Sequence, residues 1–337
     1  MKTENEFRSF YRTTLQPSLL DLNKFRRQTR AKNIRITLLY ILILALLFVI
    51  GFVVNRMIYG VWFTESKANV PIILTVIVVI LSLFYYFGLI HANRKKFVSR
   101  YKNDIISSIV QFIDESLLYE AENHVPQREF IASGLFYPKP DRYSGDDCVS
   151  GKIDKTEIAF SEIHAQYKTV VSDDEDGKSE RWIPLFGGLF FKADFNKHFK
   201  GEYYVLPDRA EKLFGRAGKL FHSSKNRFGE LIRLEDPEFE KEFVVYGIDQ
   251  VEARYILSAS LMRRLLDFKQ RTGKKMQVSF VKSSLYIAIP YRKPLFEPRY
   301  YSSILSEDKT TEYFLDLEMA IAIVTELNLN TRIWSKQ

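Results

Sequence analysis

The sequence predicts a two-helix transmembrane hairpin followed by a cytoplasmic α+β domain with a mainly antiparallel sheet. Three observations predict it. Ile36–Val54 and Val70–Ile90 are apolar and contain no charged residue. Lysine and arginine crowd both outer flanks of that pair. From about Arg128 onward, hydrophobicity alternates with period two between turn-forming residues, as half-buried strands require.

Residues 1–35 form a basic N-terminal segment with nine Lys/Arg against three acids. Phe7, Tyr11, Leu15, Leu19, Leu22 and Phe25 recur at helical spacing, interrupted by Pro17. That pattern fits a helix lying on a membrane surface or on the domain, and equally a partly ordered basic tail. The segment is unlike a secretory signal, whose apolar core is shorter and closer to the start.

The two apolar stretches span residues 36–54 and 70–90, and about 20 apolar residues are needed to cross a bilayer as a helix. Lys24, Arg26, Arg27, Arg30, Lys32 and Arg35 precede the first, and Arg94, Lys95, Lys96, Arg100 and Lys102 follow the second. Between them stand only Arg56 and Lys67, with Glu65. The bias places both termini in the cytoplasm and the Asn55–Asn69 connection outside, where Tyr59, Trp62 and Phe63 suit the interface. Neither stretch holds an ionisable residue of the kind that lines a proton or ion path, so the hairpin reads as an anchor. Residues 91–125 should continue as a juxtamembrane amphipathic helix, with Phe97, Tyr101, Ile105, Ile109, Ile113 and Leu117 on its apolar stripe and Gly88 as a bend.

The net charge of +8 would suit a nucleic-acid partner if it lay on the domain, but it does not. From Asn103 onward there are 33 basic and 37 acidic residues, so the basicity sits beside the spans. Membrane topology and anionic headgroups account for it, and no nucleic acid is expected as partner. The lone Cys148 excludes an internal disulfide and suits a reducing compartment.

Residues 126–337 form the domain. Strands are expected near Lys152–Phe160, Ser161–Val171, Trp182–Phe195, Glu202–Leu206, Glu230–Leu234 and Phe243–Tyr246, with the charged run Ser172–Glu180 as a hairpin tip. Pro207–Phe214 reads as a short helix. Ile248–Thr272 reads as one helix, capped by Asp249 and stopped by Gly273. Val251, Tyr255, Ile256, Leu261, Met262, Leu265 and Phe268 would be its covering stripe. A hairpin Met276–Val281 and Leu285–Pro290 and a closing helix Thr311–Leu327 complete the domain. Antiparallel runs with few intervening helices argue for α+β.

The common catalytic signatures are absent. Gly215–Lys219 lacks the gap and hydroxyl of a phosphate loop, and neither GxSxG nor HExxH occurs. No cofactor is expected. One constellation offers chemistry: the adjacent Asp146 and Asp147, with Glu162 and His164 on one face of a strand. Carboxylates and an imidazole are the ligand types that hold a divalent ion and activate water. Turn chemistry and an ordinary strand-surface pair account for the same residues. The run Phe186–Phe195 contains consecutive glycines, which mark a bulge or a close backbone approach. Glu235, Asp236, Glu238 and Glu240 make an acidic patch that reads as a solvated turn or a dock for a basic partner.

The strings FSEIHAQYKT (160–169), GLFFKADFNKHFKG (188–201), LEDPEFEKEFVVYG (234–247), QVEARYILSASLMRRL (250–265) and NLNTRIW (328–334) resemble the bacterial family called domain of unknown function 3137. The resemblance covers about Phe130 to Trp334. It implies a transmembrane pair ahead of the domain, a bacterial inner-membrane setting, and a shared membrane process with LemA-like helical proteins. It implies no active-site residue. Two readings of function follow. One is a multi-pass, membrane-anchored, non-catalytic interaction or scaffold protein whose partners are the lipid bilayer and another protein. The other is a membrane-tethered, metal-assisted hydrolase built on Asp146, Asp147, Glu162 and His164.

Overall fold

The computed structural model describes residues 2–59, 69–173, 177–195, 197–207, 227–291, 293–327 and 329. The chain divides into two compact units, one comprising Phe10–Asp104 and Pro298–Ser306, the other drawn from Met1–Ser9, Ile105–Glu297 and Glu307–Gln337. Helix α1 (Glu4–Phe10) passes through a π turn, Tyr11–Leu15, into α2 (Gln16–Tyr59). The N-terminal segment is therefore helical from Glu4. The wide turn directly precedes Pro17, whose ring would clash with the carbonyl four residues back in a regular α-helix.

In the helical unit α2 runs beside α3 (Asn69–Tyr101). Asn93 Nδ2 donates to Asn33 Oδ1 at 2.7 Å, the Thr37 and Tyr86 hydroxyls meet at 2.9 Å, and Tyr40 and Ser82 at 3.1 Å. The Tyr40 and Tyr86 rings stack with centroids 4.7 Å apart. These contacts set an antiparallel register, and the polar groups face each other across the pair. Apolar side chains face away: Leu42 is 65% exposed, Phe48 74% and Phe84 73%. Both helices are long and apolar enough to cross a membrane, and no residue in the most apolar window of either is buried. Gly88 lies inside α3 without interrupting it; the irregularity comes at the π turn Lys102–Ile106.

The expected helix over 91–125 is shorter than its periodicity suggests. After α4 (Ser107–Ile113) the chain turns at Asp114, and Leu117–Glu120 is the edge strand β1. Leu117 keeps its buried place because a strand end can bury a side chain as well as the next helical turn would.

The other unit is a nine-stranded sheet, antiparallel at every pairing, in the order β1-β2-β3-β4-β9-β8-β5-β7-β6. Its strands after β1 are β2 (Arg142–Ile153), β3 (Thr156–Asp173), β4 (Gly177–Asp194), β5 (Tyr203–Pro207), β6 (Glu230–Ile232), β7 (Phe243–Gly247), β8 (Gln277–Val281) and β9 (Ser284–Pro290). Helices interleave as α5 (Gln127–Ala132), α6 (Pro237–Glu242), α7 (Gln250–Ile256), α8 (Ala259–Thr272) and α9 (Glu307–Glu326). The α+β expectation holds. The expected break between Phe160 and Ser161 does not exist: the turn comes earlier, at Asp154 and Lys155, so Lys152 and Ile153 close β2 while the rest of both stretches belongs to the single strand β3. The expected helix Pro207–Phe214, most of the Asn55–Asn69 connection, the tip at 174–176 and most of the C-terminal tail lie outside the described residues.

Turn chemistry explains the hairpins. Lys282 and Ser283 both take positive φ between β8 and β9, the geometry whose twist matches paired strands. Gly188 is required by packing: a Cβ there would lie 2.3 Å from the Ile289 carbonyl oxygen on β9. The close backbone approach expected of this glycine pair is thus present. One face of the sheet buries Phe130, Phe136, Phe186, Phe190, Tyr204 and Tyr286 as a single cluster. Period two sends the next residue, Phe191, to the other face, where it packs near Phe160. Phe7 stacks on Phe314 of α9 at 4.3 Å, so the first turns of the chain join this core.

The expected helix Ile248–Thr272 is two helices. Asp249 caps the first by accepting from the Val251 and Glu252 N–H groups. Leu257 leaves the helical region, and Ser258 restarts the chain by accepting from Leu261. Gly273 ends the second helix in the left-handed conformation as expected. The break rotates the first helix relative to the predicted stripe: Ala253 and Ile256 are buried, whereas Val251 is 76% exposed and Tyr255 42%.

Candidate functional site

The site is built by a bulge. Asp146 pairs with Glu162 across β2 and β3, and pairing resumes only at Val149 with Phe160, leaving Asp147 and Cys148 opposite the single residue Ser161. Adjacent residues on a regular strand point to opposite faces. Asp147 takes φ 58, which breaks that alternation. Its N–H donates to the Ala121 carbonyl and that of Cys148 to the Asn123 carbonyl, both at 3.2 Å. The result gathers one carboxylate oxygen each from Asp146, Asp147 and Glu162 within 4.8 Å of one another. Asp147 is 1% exposed and Glu162 3%.

Internal donors meet these carboxylates. The Tyr119 hydroxyl donates to Asp147 Oδ1, the Leu295 N–H donates to Glu162 Oε2 at 2.9 Å, and His164 Nε2 lies 3.1 Å from Glu162 Oε1. Burial and the facing Asp147 carboxylate push the Tyr119 phenol well up, so it remains a donor. Even so, two full negative charges at this separation repel by about 3 kcal/mol at an effective dielectric near 20. Three carboxylates so close need a cation, a shared proton or the donors just named.

The structure brings together three of the four residues read from the sequence, and places His164 at the rim, hydrogen-bonded to Glu162 with its side chain 56% exposed. Tyr119 and the Leu295 N–H were not legible, since they reach the cluster from positions remote in sequence. Cys148, inside the bulge, is buried and its thiol is pushed up to about 11 by that burial. It is an inert structural thiol rather than a nucleophile.

The Glu162 hydrogen bond raises the His164 imidazole above its ordinary 6.5, against partial desolvation. A raised folded-state pKa contributes stability that is complete below 6.5 and is lost as pH climbs through the raised value. Thermal melts of the full chain in detergent should show a small loss of stability as pH rises from 6.5. The His164→Asn chain should lack it, and an equal loss in that variant would assign the effect elsewhere.

The fold and site define a class: an antiparallel α+β domain carried on a pair of long apolar helices. Residues 184–329 match the family model described as Protein of unknown function (DUF3137), which is consistent with a member of that family. The match begins after β3, so Asp146, Asp147, Glu162 and His164 precede it, whereas Leu295 lies within it. It is narrower than the expected resemblance from Phe130 to Trp334. No curated protein and no solved structure matches the chain.

Proposed function

We propose that the protein is a membrane-anchored interaction protein of the bacterial inner membrane. The hairpin fixes its location, and a cytoplasmic domain binds a protein partner, for which a LemA-like membrane protein is the candidate suggested by family resemblance. The observation that carries this reading is the exposure of the paired helices. They hydrogen-bond to each other through Asn33, Thr37 and Tyr40, yet no residue of their most apolar windows is buried. An apolar surface of that extent is not tolerated in water and is matched by lipid. The Lys/Arg asymmetry supports a cytoplasmic side for both termini. Ile248, Val251 and Tyr255, exposed together beside α7, support contact with another protein. Reporter fusions after Gln337 should be active in the cytoplasm and silent as periplasmic reporters. Crosslinking in native membranes should yield a partner that is lost from the Val251→Asp chain. The opposite reporter pattern would reverse the orientation, and equal crosslinking would move the partner off this face.

A second reading, the metal-assisted hydrolase, draws support from the convergence of Asp146, Asp147 and Glu162. Oxygen ligands sit about 2.3–2.6 Å from a calcium-sized ion, so oxygens on opposite sides of one ion stand about 5 Å apart. The 4.8 Å spread is of that size. Hydrogen bonds to a ligating carboxylate are common, so the Leu295 and His164 contacts do not oppose it. Calorimetric titration of the full chain with Ca²⁺, Mn²⁺ or Zn²⁺ decides the matter. One ion bound per chain, abolished by Glu162→Gln, favours the metal centre. Absence of binding leaves a hydrogen-bonded structural network.

A further inference from the structure

The cytoplasmic base of the hairpin carries a second feature that no local sequence pattern announces. The segment Pro298–Ser306 packs on α2 and α3 within the helical unit. Arg26 donates to the Tyr300 carbonyl at 3.1 Å, Arg30 to the Tyr301 carbonyl at 2.9 Å, and Asn33 Nδ2 to the Tyr300 hydroxyl at 3.0 Å. Tyr300 is buried against Phe97. Its neighbour Tyr301 is 71% exposed, with the Arg30 guanidinium 6.0 Å from its ring centre.

The Asn33–Asn93 hydrogen bond puts these two residues at one level, so the basic flanks of both helices ring the same height. At 1.5 Å per residue, Arg35, Lys32 and Arg94 lie within about 6 Å of the ends of the apolar stretches. Arg30 and Lys96 lie within about 9 Å. Lys32, Arg35, Arg94, Lys96 and Arg299 are exposed. No acidic residue occurs in 22–64, in 66–103 or in Pro298–Ser306, so the helices and the strap supply no counter-charge of their own there.

Orientation by the positive-inside bias accounts for basic residues flanking the spans. It does not account for Arg299 and Tyr301, which arrive from some two hundred residues further along the chain. A cationic ring with an exposed interfacial tyrosine is the surface that anionic headgroups bind. We propose that this collar, helix flanks and strap together, binds anionic glycerophospholipid headgroups and so seats the chain in membranes rich in them. The inference rests on the reading of the hairpin as membrane-spanning.

The test uses the full chain reconstituted in nanodiscs from an equimolar mixture of phosphatidylglycerol and phosphatidylcholine, with the retained lipid measured by mass spectrometry. Phosphatidylglycerol should be enriched, and the enrichment should fall as salt is raised. Arg299→Gln and Arg94→Gln should each reduce it roughly fivefold, the equivalent of about 1 kcal/mol per charge near the surface. Equal retention of the two lipids, or enrichment unchanged in Arg299→Gln, would overturn the collar while the chain stays in the disc. Displacement of the bound lipid by inorganic phosphate as readily as by phosphatidylglycerol would assign the surface to free phosphate and also overturn it. A chain released from membranes by alkaline carbonate would instead remove the spanning reading, and the collar with it.

Discussion

Leu46→Lys should weaken the membrane integration of the chain. Leu46 sits near the middle of the first apolar stretch and is 58% exposed. On a surface facing water, such a change falls within about 0.5 kcal/mol of neutral and would improve solubility. At the centre of a spanning helix a lysine costs about 2.5–3.5 kcal/mol on insertion scales. No carboxylate in either apolar stretch is available to pair with it. The two environments therefore predict opposite outcomes for one substitution. The amount of chain resisting carbonate extraction should fall in Leu46→Lys and remain unchanged in Leu46→Ile. A Leu46→Lys chain as resistant as Leu46→Ile would show that this surface does not face hydrocarbon.

Phe130→Ala should be the most damaging single truncation in the domain core, by about 3–5 kcal/mol. Phe130 is 1% exposed on the short helix α5. Its ring stacks on Phe136 at 4.6 Å and lies 5.2 Å from Phe190, 5.4 Å from Tyr143 and 6.0 Å from Phe186. Four aromatic partners in one cluster leave little freedom to collapse into the space vacated, which puts the cost at the upper end for such changes. The next residues tie the same segment down: the Ser279 hydroxyl donates to the Ser133 carbonyl at 2.7 Å. Denaturant unfolding followed by circular dichroism should show a matching fall in midpoint. Val170→Ala, on an exposed position of β3, should move it little.

The two apolar helices and the caps of the soluble helices were legible because their causes are local. A charge-free stretch of membrane length, an Asp one residue ahead of a helix and a glycine just past one each carry their own reason. The strand β2 was missed except for Lys152 and Ile153 because RYSGDD reads as a turn, and the fold uses the end of that run to form a bulge. The single helix expected from Ile248 failed at Leu257, where Ser258 competes for the backbone as a cap. That competition is invisible to apolar periodicity, which is why Val251 and Tyr255 were assigned to the wrong face. The candidate site was half legible. Glu162 and His164 share a strand face by period two, and Asp146 joins them by the antiparallel register. Tyr119, Leu295 and the strap residues Tyr300 and Tyr301 act from far along the chain, and nothing near them in sequence announces the contact.

The central claim is that the hairpin lies in lipid. It is tested most directly by spin labels placed singly at Leu38, Leu42 and Leu46, which the structure leaves exposed on α2. The native Cys148 is buried and should stay unlabelled. In reconstituted bilayers, collision with dissolved oxygen should rise from Leu38 to Leu46, while collision with a water-soluble nickel chelate should fall along the same path. Equal and high access of the nickel chelate at all three positions would contradict the account.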